Sequence, residues 1–339
     1  MARPSTWSTA PLRPPGAVRR GPRRNFRFRW GGHRGGVAAC LISAACFGAL
    51  PVLGKQAYQA GIGPLGLLWA RFGVAAIVFW VLAGAVVRPP RPSARFLAAG
   101  LLMGFSGYAV EAALFFLALE RIDASLTELL LYGYPVMVTV VALRLGREST
   151  SPRLVCALSL ASAGILLVFA GSLASGVNPV GLALGLGSAV VYASYVLAGE
   201  RVVAVVHPIL LAALICTGAA AFFTLARLAG GSLVVPATAE AWDWVGLIAV
   251  VATVVPMVAL FVGIERVGAA TASIVSTFEP VVTVVLAALF LGEHLSAVEA
   301  LGAAAVLAAV RLLQTRPTSA STEASGSPPA LVGGAVAGE

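Results

Sequence analysis

Long apolar runs of about twenty residues, separated by short polar or glycine- and proline-bearing breaks, fill residues 36–314. They fall at 36–57, 64–87, 96–118, 124–143, 153–171, 179–199, 208–229, 242–263, 269–291 and 297–314. None alternates apolar and polar positions with a period of two, so the runs read as helices and not as strands. About 20 apolar residues cross the hydrocarbon layer of a bilayer as a helix. Lipid admits only helices or closed barrels, because each backbone polar group must find its partner within the protein. The pattern predicts an all-α membrane protein with ten transmembrane helices. The flanks differ: residues 1–34 are rich in Arg, Pro and Gly, and 315–339 in Ser, Thr, Pro and Gly, so both read as disordered tails.

Composition agrees with the pattern. Hydrophobic residues make up 59% of the 339 and charged ones 11%, with a mean hydropathy of +0.93. A soluble domain carries about 25% charged residues, so this chain cannot cover a water-facing surface. The net charge of +9 is placed like a topology signal. Nine arginines lie in residues 1–34 without an acid, and nineteen of the 23 Lys and Arg residues fall on one side when the N-terminus is put inside. Only Lys55, Arg121 and Arg227 fall outside, and Arg71 lies within a span. Positive charge marks the cytoplasmic side, which predicts an inner (plasma) membrane protein with both termini cytoplasmic. A nucleic-acid partner is excluded, since the polar segments cannot build a binding module. Arg23-Arg24-Asn25-Phe26 is similar to the start of a twin-arginine export signal. No small-residue cleavage site follows and nine more spans do, so an uncleaved first helix is expected.

The two halves repeat one another. Glu120-Arg121 recurs as Glu265-Arg266, Tyr134-Pro135-Val136 as Glu279-Pro280-Val281, and Glu148 as Glu293, each pair 145 residues apart. Ser43 and Ser188 keep the same spacing. Five helices per half, 36–171 and 179–314, is an odd number, so the second copy is inverted in the membrane. Inverted repeats typify secondary transporters, whose substrate sites lie near the midplane between the halves.

Trp69-Ala70-Arg71-Phe72, Phe116-Leu117-Ala118-Leu119 leading to Ala124, Tyr134-Pro135-Val136, Phe278-Glu279-Pro280-Val281 and Leu291-Gly292-Glu293 stand in an order that resembles the EamA-like branch of the drug/metabolite transporter superfamily. The resemblance covers roughly residues 36–314. It implies a small-molecule carrier, often an exporter of amino acids, related metabolites or toxic compounds.

Four ionisable residues lie inside spans: Arg71, Glu111, Glu128 and Glu279. A charge in the bilayer costs at least a few kcal/mol unless paired or hydrated, so each is a candidate site residue. By helical rise, Arg71, Glu111 and Glu128 share the outer half of the membrane, and Glu279 lies close to the midplane. Arg71 is expected either to form a static salt bridge with Glu111 or Glu128 or to serve as a gate or an anchor for an anionic group. Glu279 is expected either to bind substrate or a proton or to be a packed core carboxyl. Its counterpart in the first half is Tyr134, a further candidate. Pro51, Pro135, Pro256 and Pro280 fall within spans, where proline frees a carbonyl and kinks the helix, so they are candidate hinges. Trp69, Tyr108, Tyr132, Tyr134, Tyr192 and Tyr195 are candidate pocket or interfacial aromatics, and Gly181, Gly185 and Gly187 form a packing stripe. The four cysteines match no metal site, and no cofactor motif occurs.

An intramembrane enzyme and a non-transporting scaffold are the competing classes. Gly104-Phe105-Ser106-Gly107 matches the serine motif of rhomboid-type proteases, but none of His33, His207 and His294 lies in a span that could present a base to Ser106. The expected function is a secondary transporter, working by alternating access on a small-molecule substrate, with protons as the candidate coupling ion and export favoured by resemblance alone.

Overall fold

The computed structural model describes residues 33–87, 92–145, 151–174, 176–203, 205–230 and 238–314. The arginine-rich stretch before His33, Glu148 and residues 315–339 lie outside them. The described residues contain helices and no strand. Ten helical spans follow in chain order: α1 (His33–Gln59), α2 (Pro64–Val86), α3 (Ala94–Leu119), α4 (Ala124–Arg144), α5 (Pro152–Ala174), α6 (Pro179–Val203), α7 (Pro208–Ala229), α8 (Ala239–Gly268), α9 (Thr271–Leu291) and α10 (Ala297–Gln314). Nine of them, α1 to α9, are long and apolar enough to cross a membrane. Large apolar side chains such as Ile77, Leu166 and Leu289 are about two-thirds exposed, as lipid-facing residues must be.

The ends of the helices follow from local chemistry. α2, α5, α6 and α7 each begin with proline, whose missing N–H costs nothing in the first turn. Asn178 Oδ1 accepts from the Val180 and Gly181 N–H groups and caps α6. Ser296 and Glu299 form a reciprocal capping box at α10: Ser296 Oγ accepts from Glu299 N and Glu299 Oε2 accepts from Ser296 N. α8 passes into α9 with no intervening loop, through Gly268 at φ 81° and ψ 159°, a conformation open to glycine and strained for other residues.

Packing repeats the symmetry of the sequence. α1 lies on α8, α3 on α6, α2 on α7 and α5 on α10. Exchange of the two halves carries the first pair into the second and each of the other two onto itself, which is what two inverted five-helix repeats require. At the α5–α10 crossing, a Cβ on Gly164 would lie 2.7 Å from the Gly302 carbonyl oxygen, so glycine there lets two backbones touch.

Several helices are broken near their centres. α1 is interrupted after Gly48, ahead of Pro51. α4 is interrupted between Leu131 and Tyr134, ahead of Pro135, and α9 between Ser276 and Glu279, ahead of Pro280. α3 and α8 instead carry π-helical segments, Met103–Tyr108 and Val250–Val254, the latter ahead of Pro256. With the 145-residue repeat these two segments overlap, so the same distortion occurs twice. The four candidate hinge prolines each follow such a break by no more than three residues.

Candidate functional site

The broken centres of α1, α4 and α9 and the distorted turn of α3 surround one cavity of about 170 Å³ between the halves. The four charged residues that the sequence singles out within spans all line it: Arg71 from α2, Glu111 from α3, Glu128 from α4 and Glu279 from α9. Tyr108, Tyr132, Tyr134 and Tyr192 complete its polar wall, and Phe47, Phe115 and Leu260 contribute to its apolar wall. Phe47 and Tyr192, Phe115 and Leu260, Leu131 and Ser276, and Tyr134 and Glu279 are pairs 145 residues apart. The cavity therefore straddles the pseudo-two-fold axis. Its charges do not obey the symmetry: the counterpart of Arg71 is Cys216 and that of Glu111 is Pro256.

Arg71 is almost fully buried, and its surroundings differ from the expected salt bridge. Among the described residues no ion pair joins it to Glu111 or Glu128, whereas Arg121 and Glu120 do pair at the surface. Instead Arg71 Nε donates to Thr253 Oγ1 at 2.8 Å. The guanidinium carbon lies 5.0 Å from the Phe72 ring centroid and 5.4 Å from that of Phe116, within the range of cation–π attraction. Thr253 sits in the π-helical segment of α8 and bonds back to Ile248 O at 3.0 Å. The aromatic faces and this hydroxyl supply what a carboxylate partner was expected to supply. The two terminal nitrogens of Arg71 have no acceptor among the described residues, which leaves a planar fork for a ligand.

The carboxyls differ in how they are held. Glu128 is buried and its Oε1 has no hydrogen-bond partner among the described residues. Glu111 makes no hydrogen bond to the described residues. Glu279 Oε2 lies 2.9 Å from Tyr132 Oη, which also lies 2.8 Å from Ser276 O. An unmet buried polar atom costs about 1–3 kcal/mol, and such atoms in a native structure point to water, a proton or a ligand.

The aromatics form a continuous band. Tyr132 meets Tyr134 edge-on at 6.3 Å, Tyr134 meets Tyr192 at 4.6 Å, and Tyr192 stacks on Tyr195 at 5.9 Å. Trp69 lies away from the cavity, donating to Thr224 Oγ1 beneath Arg227. The glycine stripe behaves as packing: a Cβ on Gly181 would strike Ile122, and one on Gly185 would strike Leu130. Ser106 lies in the π-helical segment of α3 and its hydroxyl donates to Leu102 O at 2.9 Å, so the serine-protease resemblance gains no catalytic geometry. The four cysteines are unpaired thiols.

Sequence reading missed Thr253 and Ser276, which look like ordinary helix residues, and the role of Glu293. Glu293 accepts from Ala124 N at 2.8 Å through Oε1, and from Ser125 N and Ser125 Oγ at 3.0 Å through Oε2. It thus caps α4 from the opposite half, one turn ahead of Glu128. Its pairing with Glu148 in the repeat was the available signal.

A scan against family models matches the description "EamA-like transporter family" twice, over residues 34–170 and 179–315. A Bacillus subtilis (strain 168) protein named uncharacterized transporter YcbK is 30% identical over 294 residues, covering 83% of this chain and 93% of that protein. A solved crystal structure with 17% sequence identity superposes with a TM-score of 0.59, over 83% of this chain and 97% of its own, a likeness of fold alone. Two matches of one family model, one in each half of an all-helical inverted repeat, make the chain a multi-pass membrane protein of the EamA-like transporter family.

Proposed function

We propose that this transporter is a proton-coupled secondary carrier that exports small metabolites, amino acids or related compounds, by alternating access around the central cavity. In this reading the protein lies in the inner membrane with both termini cytoplasmic, as the nineteen-to-three distribution of positive charge supports. Arg71 receives an anionic group of the substrate through its two terminal nitrogens. Glu128 and Glu279 receive an ammonium group or a proton, Glu111 adds negative potential, and Tyr134 closes the pocket with its ring. The broken helices at Pro51, Pro135, Pro256 and Pro280 are the places where the halves flex.

One observation carries the proposal: Arg71, Glu111, Glu128 and Glu279, which the sequence scatters over four helices, line one cavity between the repeats without pairing with each other. A purely structural set would neutralise itself, because an unpaired buried charge is strongly destabilising. Unmet donors and acceptors around a shared space fit a ligand that brings both signs. The test is uptake of labelled amino acids and related metabolites into inverted vesicles that carry the protein, with the vesicle interior acidified. Accumulation of a compound bearing both an amine and an acid group supports the reading, and Glu128→Gln should reduce that accumulation at least tenfold. Accumulation only of compounds lacking a positive group, or uptake indifferent to the proton gradient, would overturn it.

A further inference from the structure

The hydroxyl of Tyr132 stands between two oxygens and has one hydrogen to give. Ser276 O is 2.8 Å away and Glu279 Oε2 is 2.9 Å away. The backbone carbonyl can only accept. If the tyrosine hydrogen goes to Ser276, the hydrogen in the second contact has to come from the Glu279 carboxyl, so that contact is complete only when Glu279 is protonated. If Glu279 is ionised it can only accept, and the tyrosine hydrogen turns to it, charge-assisted and stronger than a bond to a neutral carbonyl. Ser276 then loses its donor.

That carbonyl has no helical substitute. In an unbroken helix the Ser276 carbonyl would accept from the N–H four residues on, and that residue is Pro280, which has none. The break in α9 lies between these two residues. The Tyr132 hydroxyl, reaching across from the break in α4, is therefore the bond that closes the α9 kink. In the first half the equivalent carbonyl is Leu131 O, freed in the same way by Pro135, and the counterpart of Tyr132 is Thr277. Thr277 Oγ1 is turned to Ile274 O of its own helix, so the cross-half arrangement exists once.

From this geometry we infer that Tyr132 is a proton-reading latch: it holds the α9 kink shut through Ser276 when Glu279 carries a proton, and releases it to Glu279 when the proton leaves. The inference rests on the proposed role of Glu279 as the proton-binding residue and adds the part that converts its protonation into backbone movement. The step balances without a further reactant: Glu279 gives one proton to the cavity, the Tyr132 hydroxyl rotates and keeps its own hydrogen, and the Ser276 carbonyl is left open to water or to a substrate ammonium. The ionisable groups around Glu279 are Tyr132, Tyr134 and Glu128 on α4, Tyr108 and Glu111 on α3, Arg71 on α2 and Tyr192 on α6. The neighbouring lining residues of α1 and α8, Phe47, Leu50 and Leu260, do not titrate. Of the groups named, Tyr132 alone bonds both the carboxyl and the kink.

The test needs no substrate. Amide hydrogen exchange is followed over peptides spanning residues 271–285 in the purified full chain, across a pH series, after correction for the intrinsic rise of exchange with pH. The wild type should show a step to faster exchange as pH rises, of about fivefold, the factor matching the net contribution of one hydrogen bond. Tyr132→Phe keeps the ring against Tyr134 and should exchange fast at every pH. Glu279→Gln, whose amide can donate to the tyrosine oxygen as the protonated acid does, should exchange slowly at every pH. A wild-type step that survives in Tyr132→Phe would overturn the latch, as would the absence of a step in the wild type. Should Tyr132→Phe fail to fold, a step retained in Glu279→Gln would overturn it equally. Glu279→Gln that transports normally would defeat the proposed function, whereas loss of transport in Glu279→Gln with an unaltered step in Tyr132→Phe would defeat the latch alone.

Discussion

Arg71 shows how much a single residue can reveal from sequence and where that stops. A guanidinium in an apolar run is conspicuous because its burial is costly, and the structure buries it beside the central cavity. Its anchor was not legible: Thr253 lies 182 residues away and a threonine in a helix carries no distinguishing signal. The same holds for Tyr132, which by composition is one of several interfacial aromatics. Arg71→Ala should cost about 3 kcal/mol of stability, from one charge-assisted hydrogen bond and two desolvated cation–π contacts. Because no carboxylate is paired with it, adding Glu111→Gln or Glu128→Gln should leave the folded yield at the single-mutant level. Fluorescence size-exclusion of the three variants checks this, and full rescue by either second change would restore the salt-bridge reading.

Among the elements, the spans were readable from hydropathy, and proline marked α1, α4, α8 and α9 as irregular. The shape of the irregularity was hidden. A π-helical turn inserts one extra residue into the ladder and leaves the apolar run unbroken, so Met103–Tyr108 and Val250–Val254 give no sign in the sequence. The caps are likewise tertiary. Asp123 occupies the α4 N-cap position without using its side chain, and Glu293 supplies the acceptors from the other half. Glu293→Ala should destabilise the protein by about 1–2 kcal/mol, the range of a lost cap, while Glu293→Gln, which keeps one acceptor, should lose less; thermal unfolding in one detergent compares them. At the start of α7, His207 Nδ1 accepts from Ile209 N at 3.3 Å, which requires the neutral ring. Burial pushes the His207 pKa below its usual 6.5, so the folded state binds fewer protons than the unfolded one. This part of the stability is present above about pH 6.5 and declines as pH falls through the depressed value. His207→Asn caps without titrating, so its unfolding temperature should fall less than that of the wild type between pH 7 and pH 5; parallel decline would remove His207 from the account.

For the whole molecule, the repeat was legible because charged and proline positions recur 145 residues apart, and the helix pairing obeys the same two-fold relation. The gathering of four charges into one cavity was not legible, because depth along a helix axis follows from residue counting whereas azimuth follows from packing. Sequence placed Glu279 deeper than the others; in the fold all four line one space. Topology reporters fused after Pro90 and after Gly268 should read cytoplasmic, and one after Ser175 external; reversal at two of these sites would contradict the proposed orientation. The most direct test of the central claim is transport by Glu279→Gln in inverted vesicles, using whichever labelled amino acid or related metabolite the wild type accumulates. The account predicts normal expression and fold with no gradient-driven accumulation. Substrate-for-substrate exchange should persist if Glu279 only carries the proton, and vanish if it also holds the substrate. Accumulation by Glu279→Gln at the wild-type rate and to the wild-type level would show that this carboxyl takes no part in transport and would contradict the account.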